Sequence, residues 1–482
     1  MPDHFLPRLR RIERQPCDHP PQAIAQRLQH RLKSLCTVRH NPSPTSVSYP
    51  EGAARHGRAK LITIATHSNP RIFLSAGEAS GDHYGAGIIS NLRARMPEAS
   101  FAGLGGIAMS DAGLERIVRA EDVAHMGFTE VIRHAPYIYS QYRKLVAAIQ
   151  RERPAVAILI DFPEVNLRLA RHLKRLGIPV LWFVSPQLWA WKRGRLRQVQ
   201  QLVDSMMVIF PFEASFYRAR GVHTEFVGHP LAALPLPNSS REEYSAQNSV
   251  DPSKIWIALL PGSRWKEVES NLPIMIRAAN MLGGNYEFLL PVASTLDIGR
   301  VQDLVSALKK GGHGATPSIH LVPDAREALH HARASVVASG TATVQALTIG
   351  NPFVVVYRVS ALTFALAKRL IRYPAEIPAP RDADGNLPIA MPNLIAGRRI
   401  VPELLNRRFT ADALADALRP MLDDTPARRQ MIADLAEART RLLPTPAQTG
   451  QTADPLLRVS DAVVELLLAT SSDVHRTAAT NV

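Results

Sequence analysis

Cysteine is nearly absent from this 482-residue chain: Cys17 and Cys36 are present and none follows. That excludes a disulfide framework or a thiolate-held metal for everything after residue 36, and it suits a reducing compartment such as the cytoplasm. No run of eighteen apolar residues occurs, which argues against a spanning helix. The opening residues lack the charged-then-apolar pattern of a signal peptide. No G-x-G-x-x-G follows an apolar run, so the dinucleotide fingerprint of an oxidoreductase is missing. The 17 histidines show no ligand spacing, and no metal is expected. His330-His331 falls in a helical stretch, where exposure is the default reading.

What is present is ordinary for a globular protein: 46% hydrophobic and 21% charged residues, in a chain long enough for two domains. The net charge of +15 invites a polyanionic partner, but it is unevenly placed. Residues 1–70 hold eleven Arg and Lys against Asp3, Glu13, Asp18 and Glu51. A moderately basic enzyme behind a basic leader fits better than a nucleic-acid binder, and no nucleic-acid partner is expected. Residues 1–69, rich in Arg, His, Pro and Gln, read as a disordered extension.

From Arg71 onward short apolar runs alternate with helical stretches. Strands are expected at Arg71–Ala76, Val156–Ile160, Val180–Val184 and Met206–Phe210, then at Ile255–Leu260, Tyr286–Pro291, Ser335–Ala338 and Phe353–Tyr357. Helices fit Tyr84–Met96, Leu167–Leu176 and Glu267–Leu282. A polar stretch over 236–252 divides the alternation into halves at 70–235 and 253–447, followed by a helix over 448–470 and a disordered tail over 471–482. The fold class is α/β, with two Rossmann-like parallel-sheet domains.

In such sheets ligands bind beyond the carboxyl ends of the strands. In Leu260-Pro-Gly-Ser-Arg264, Gly262 lets the backbone approach a ligand, Ser263 can cap the next helix, and Arg264 adds a forked cation. Together they suit a diphosphate, though a capped surface turn has the same residues. Ser339-Gly340-Thr341 repeats the arrangement after another strand and offers neutral donors. The loop Ser75-Ala-Gly-Glu-Ala-Ser-Gly-Asp82 carries Glu78 and Asp82, which would repel a pyrophosphate. It reads as a site for hydroxyls or an amine, or else as a plain tight turn. Asp161, just after a strand, is placed either as a general base or as a helix cap. Trp189 and Trp191, followed by Lys192, Arg193, Arg195 and Arg197, face lipid or sugar or pack in the core. Residues 128–144 mix aromatic, apolar and basic residues and suit either a membrane surface or core packing.

The ordered motifs Ala76-Gly-Glu-Ala-Ser-Gly-Asp82, Met126-Gly127, Val184-Ser-Pro-Gln-Leu-Trp-Ala-Trp191, Phe210-Pro-Phe-Glu213, Val227-Gly-His229, Leu260-Pro-Gly-Ser-Arg264, Ala338-Ser-Gly-Thr341 and Met391-Pro-Asn-Leu-Ile-Ala-Gly397 resemble the lipid-A-disaccharide synthase family from about Arg71 to Leu468. The resemblance implies the GT-B fold, with an inter-domain cleft and a C-terminal helix crossing back. It implies inverting transfer of 2,3-diacylglucosamine from UDP to 2,3-diacylglucosamine 1-phosphate (lipid X), without cofactor or metal. Peripheral contact at the cytoplasmic face of the inner membrane is expected, and a homodimer is admitted. By motif, Asp161 matches the family's general base. Glu78, Ser80, Arg264 and Asn393 match other activity-sensitive positions, with Glu78 and Asn393 grouped with the catalytic set. Gly262, Ser263, Ser339, Gly340, Thr341 and Gln345 join Arg264 on the UDP-sugar side. Ser80, Asp82, Met126 and Trp189 fall to the acceptor or lipid side.

Two departures stand out inside the matched region. Gln345 occupies a position where the family usually has glutamate, well suited to ribose hydroxyls. Residues 373–389, proline-rich with Asp382-Ala-Asp-Gly385, look inserted. The rival readings are another GT-B UDP-sugar transferase or a UDP-sugar epimerase.

Overall fold

The computed structural model describes residues 69–124, 135–191, 193–310, 317–445 and 454–479, which all fall in one compact unit beginning at Ile64. Seven strands form a first sheet: β1 (Arg71–Ala76), β2 (Ser100–Gly105), β3 (Leu114–Arg119), β4 (Val156–Ile160), β5 (Val180–Phe183), β6 (Ser205–Val208) and β7 (Thr224–Phe226). Six more form a second: β8 (Ile255–Leu260), β9 (Tyr286–Pro291), β10 (Ser318–Val322), β11 (Ala334–Ala338), β12 (Phe353–Tyr357) and β13 (Glu403–Leu405). The orders are β3-β2-β1-β4-β5-β6-β7 and β10-β9-β8-β11-β12-β13, and every pairing is parallel.

The central strands explain the parallel arrangement. Val156-Ala-Ile-Leu-Ile160 is buried at every position, with no polar alternation, because helices cover both faces. In each sheet the order reverses once, between β1 and β4 and between β8 and β11. Those two switch points are where such sheets open a crevice at their carboxyl ends.

Two crossings join the lobes, and they touch. The N–H of His229, after β7, donates to the carbonyl of Leu442 at 2.8 Å. Gly228 (φ +94°) lies so near that a Cβ would stand 2.9 Å from Pro444. Burial pushes the His229 imidazole down to about 3, so it stays neutral and accepts from the Leu231 N–H through Nδ1. Residues 236–252, expected as linker, include the helix Arg241–Asn248, capped by Ser240 and Glu243. They dock on the second lobe, where Ser239 Oγ donates to Glu327 at 2.6 Å. His331, expected exposed, instead stacks on Tyr244 with ring centroids 4.5 Å apart.

The last helix, Pro455–Ala479, returns to the first lobe. Leu456, Val459, Val463 and Leu467 recur at helical spacing and are buried against the first sheet's helix Ala79–Arg95 and β4. Arg95 pairs with Asp461, and Arg458 with Glu225, along its flanks. It starts and ends later than the 448–470 read from sequence.

Candidate active site

The first switch point sets two acidic loops side by side. β1 runs into Gly77-Glu78 and then the helix Ala79–Arg95; β4 runs into Asp161-Phe162 and then the helix Pro163–Arg175. Asp161 (φ +45°) and Phe162 (φ +48°) are successive non-glycine residues in the left-handed region, at a cost of roughly 1–2 kcal/mol each. A buried asparagine holds them there. Asn166 Nδ2 donates to the carbonyls of Asp161 (2.7 Å) and Ile160 (3.2 Å), and its Oδ1 accepts from Ser75 Oγ (2.6 Å) at the end of β1. The Phe162 ring covers Gly77 so closely that a Cβ there would lie 2.4 Å away. No sequence motif marks Asn166, five residues beyond Asp161.

Burial and, next, the negative charge of Glu78 push the Asp161 carboxyl up to about 7, opposed by the Phe162 N–H. A carboxylate so placed exchanges a proton near neutral pH. Ser80 lies in the first turn of the helix that begins beside Glu78.

The second switch point is basic. β8 runs into Pro261-Gly262-Ser263-Arg264 and the helix Trp265–Leu282, with Gly262 at φ +129°. A Cβ on Gly262 would stand 2.3 Å from Glu267 Oε2. The expected Ser263 cap is replaced: Glu267 reaches back and accepts from the N–H groups of Ser263 (3.1 Å) and Arg264 (3.4 Å). Buried Asn271 fixes the loop by donating to the Pro261 carbonyl at 2.8 Å. Beside it, β11 runs into Ser339-Gly340 and the helix Thr341–Ile349, whose N-terminus has no side-chain cap. Gly340 (φ +152°) faces open space. Thr341 is exposed and Gln345 half-buried on that helix. At the end of β12, burial and Glu267 raise the Tyr357 phenol and keep it neutral. Tyr357 is a neighbour of this loop that no motif announced.

The two switch points meet. Arg264 Nη2 lies 3.5 Å from Glu78 and its Nη1 3.5 Å from Glu267, so the guanidinium bridges the lobes between two carboxylates. Glu78 is also the larger of the two negative charges, with Glu164, that Asp161 feels. The structure thus brings together Glu78, Asp161, Arg264 and the Gly262 and Gly340 loops.

Three other expected site residues do different work. The Asp82 carboxylate accepts from the N–H groups of Gly106 (2.7 Å), Ala108 (2.9 Å) and Met109 (3.1 Å), capping the short helix after β2 instead of facing an acceptor. Trp189 is buried; its Nε1 donates to Glu213 at 3.1 Å and its ring packs on Phe212 and Tyr373. Asn393, fully buried, donates to Glu403 (2.7 Å) and Val401 (3.0 Å) and accepts from the N–H groups of Ile400 (2.7 Å) and Val401 (3.0 Å). Its amide clamps the helix Met391–Ala396 to β13, and all four of its hydrogen-bonding positions are filled there. Met126 lies outside the described residues. No group of three or more His, Cys, Asp or Glu among the described residues is arranged to hold a metal.

The segment 373–389 reaches across to the first lobe. Glu376 pairs with Arg220 at 2.8 Å, and Tyr373 packs on Trp189 with centroids 5.5 Å apart.

The family model for lipid-A-disaccharide synthetase matches residues 72–445. A lipid-A-disaccharide synthase of Acidobacterium capsulatum is 52% identical over 407 residues, covering 83% of this chain and 97% of its own. One from Koribacter versatilis is 46% identical over 383 residues, covering 79% and 94%. Among solved structures, the glycotransferase of kitacinnamycin aligns with a TM-score of 0.51 at 16% identity, covering 83% of this chain and 99% of its own. The UDP co-structure of S. aureus MnaA aligns with a TM-score of 0.52 at 11% identity, covering 82% and 95%. These two likenesses concern the fold alone.

Proposed function

The chain belongs to the lipid-A-disaccharide synthetase family, and on that premise we propose how its GT-B lobes carry out the reaction. The enzyme transfers 2,3-diacylglucosamine from UDP to 2,3-diacylglucosamine 1-phosphate, giving the β-1′,6-linked disaccharide 1-phosphate and UDP. Asp161 takes the proton from the acceptor 6-hydroxyl as that oxygen attacks C1 of the donor from the face opposite UDP. The bond from C1 to the diphosphate oxygen breaks, and the anomeric centre inverts. One carboxylate base suffices for inversion; a retaining path through a glycosyl-enzyme would need a nucleophile as well.

The departing diphosphate gathers negative charge, and the second lobe supplies its counterpart. Arg264 turns from Glu78 and Glu267 toward the phosphates. The N–H groups of Ser263 and Arg264, held by Glu267 in this structure, pass to phosphate oxygens at the helix N-terminus. Ser339, Gly340 and Thr341 add the second helix N-terminus, where Gly340 leaves room for close approach. Such preorganised donors stabilise charge where it develops. Gln345 meets the donor ribose with a neutral amide, a weaker partner than a carboxylate. Glu78 holds Arg264 across the lobes until the donor arrives and, after burial, helps keep the Asp161 carboxyl basic enough to take a proton.

Both substrates carry acyl chains, so the enzyme works at a lipid surface, peripherally, at the cytoplasmic face of the inner membrane. No described helix is long and apolar enough to cross a membrane. Tyr137 and Tyr139, exposed at the start of the helix Ala135–Glu152, suit an interfacial position.

The observation that carries this reading is the meeting of Glu78 and Arg264 at 3.5 Å beside Asp161. Purified protein incubated with UDP-2,3-diacylglucosamine and lipid X should yield the disaccharide 1-phosphate by mass spectrometry. Donor consumed without any disaccharide would overturn it.

A further inference from the structure

One helix of the second lobe turns apolar side chains to solvent beside the substrate crevice. The helix Ala361–Leu370 follows β12, on the carboxyl-end side of its sheet, and leaves Leu366 55% and Leu370 64% exposed. They are four residues apart and therefore share one stripe. Lys368, Arg369 and Arg372 are exposed beside them. From the first lobe, the loop after β5 contributes Trp191, 50% exposed, and Arg193, whose guanidinium donates to the Arg372 carbonyl. That bond makes the aromatic loop and the helix end one continuous surface.

The charge balance of this surface is positive. The nearby carboxylates are engaged: Glu376 with Arg220 (2.8 Å), Glu164 with Arg195 (3.2 Å), and Asp384 with Arg408. Lys368 donates to the Asp384 carbonyl at 2.8 Å, which leaves Arg193, Arg369 and Arg372 as the exposed guanidinium rim. Apolar centres within a basic rim match an anionic bilayer. Two other occupants fit worse. The leader of this chain is itself strongly basic, and a second copy docked by two-fold symmetry would set one basic rim against another.

Resting on the membrane-surface reading above, we propose that Leu366, Leu370 and Trp191, ringed by Arg193, Arg369 and Arg372, seat this enzyme on an anionic bilayer. The carboxyl ends of both sheets then open toward the lipid that carries the acylated substrates. The patch draws on both lobes, joined by the bond from Arg193 to Arg372, so seating and cleft position are coupled.

Flotation of the full chain with phosphatidylcholine vesicles, with and without phosphatidylglycerol, tests this. Wild type should bind the anionic vesicles and release with salt. Leu366→Ser with Leu370→Ser should weaken partition at least about ten-fold. Arg369→Glu with Arg372→Glu should weaken it by about five-fold per side chain, on anionic vesicles only. Met281→Ser serves as control, because Met281 is exposed at the opposite end of the helix after β8. In detergent micelles the leucine pair should keep wild-type kcat and KM, since it touches no reacting group.

Unchanged vesicle binding by the leucine pair would overturn the proposed surface while leaving peripheral attachment intact. Wild type that fails to bind anionic vesicles would overturn both, with the synthase reaction still decided by the micellar assay. A raised micellar KM for the acceptor with vesicle binding intact would mark the helix as an acyl-chain groove and also overturn the proposal.

Discussion

The two sheets share one strand order through six strands, yet they furnish opposite chemistry at the same address. At the first switch point stand Glu78 and Asp161; at the second stand Arg264 and the uncharged Ser339-Gly340 loop. The backbones differ in the same sense. The acidic loop puts Asp161 and Phe162 into the left-handed region, whereas the basic side uses Gly262 and Gly340 for its positive φ angles. On the proposed mechanism, strain is accepted where a side chain acts, and glycine avoids it where the backbone approaches a phosphate. Both loops are pinned the same way, by a buried asparagine on the following helix: Asn166 in one lobe, Asn271 in the other.

The contrast can be broken from either side. Asp161→Asn removes the proposed base and should lower turnover by about 10²–10⁴ without unfolding the protein, measured as kcat at saturating substrates. Arg264→Ala removes charge from the leaving-group side and should cost about 10²–10³ in kcat. Near-normal turnover in either variant would remove that residue from the mechanism.

Backbone exchanges sharpen the comparison. Asp161→Gly should abolish transfer yet raise stability by roughly 1 kcal/mol, since glycine relieves the left-handed strain. Gly262→Ala should do the reverse, losing roughly 1–3 kcal/mol because its Cβ meets Glu267 at a positive φ. Urea midpoints read both.

The smallest effect is in the pH profile. With Asp161 raised to about 7, kcat/KM should climb as pH rises through that value and level off above it. Glu78→Gln removes a neighbouring negative charge, and the acid limb should move to lower pH. Stability runs the other way. A carboxyl raised on folding holds its proton between the usual carboxylate range and about 7, so its contribution is lost as pH rises through that window. Asp161→Asn should make that part of a Tm-against-pH curve shallower, leaving the share of buried Glu213, whose carboxyl burial also raises to about 7.

Much of this was legible in the sequence, for physical reasons. Strands buried on both faces, such as β4 and β8, are unbroken apolar runs and read directly. The strands passed over are interrupted or marginal. β2 contains two glycines, β3 alternates charges at a sheet edge, β10 is the other sheet's edge, and β7 and β13 have three residues each. Asp161 and Arg264 were visible because a lone charge just after an apolar run has few other uses. Asp82 and Asn393 fall in matching motifs too, but their polar atoms are consumed by backbone groups and, for Asn393, by the Glu403 carboxylate, 7–27 residues away along the chain. Asn166 was passed over for the mirror-image reason: its importance depends on β1 lying beside β4, which no local pattern states.

The touching crossings at His229 and Leu442 have a mechanical meaning. Two panels hung on one pin can swing but cannot slide past each other. Any parting of the loops that meet at Arg264 and Glu78 is then expected to be a swing about that bond rather than a slide.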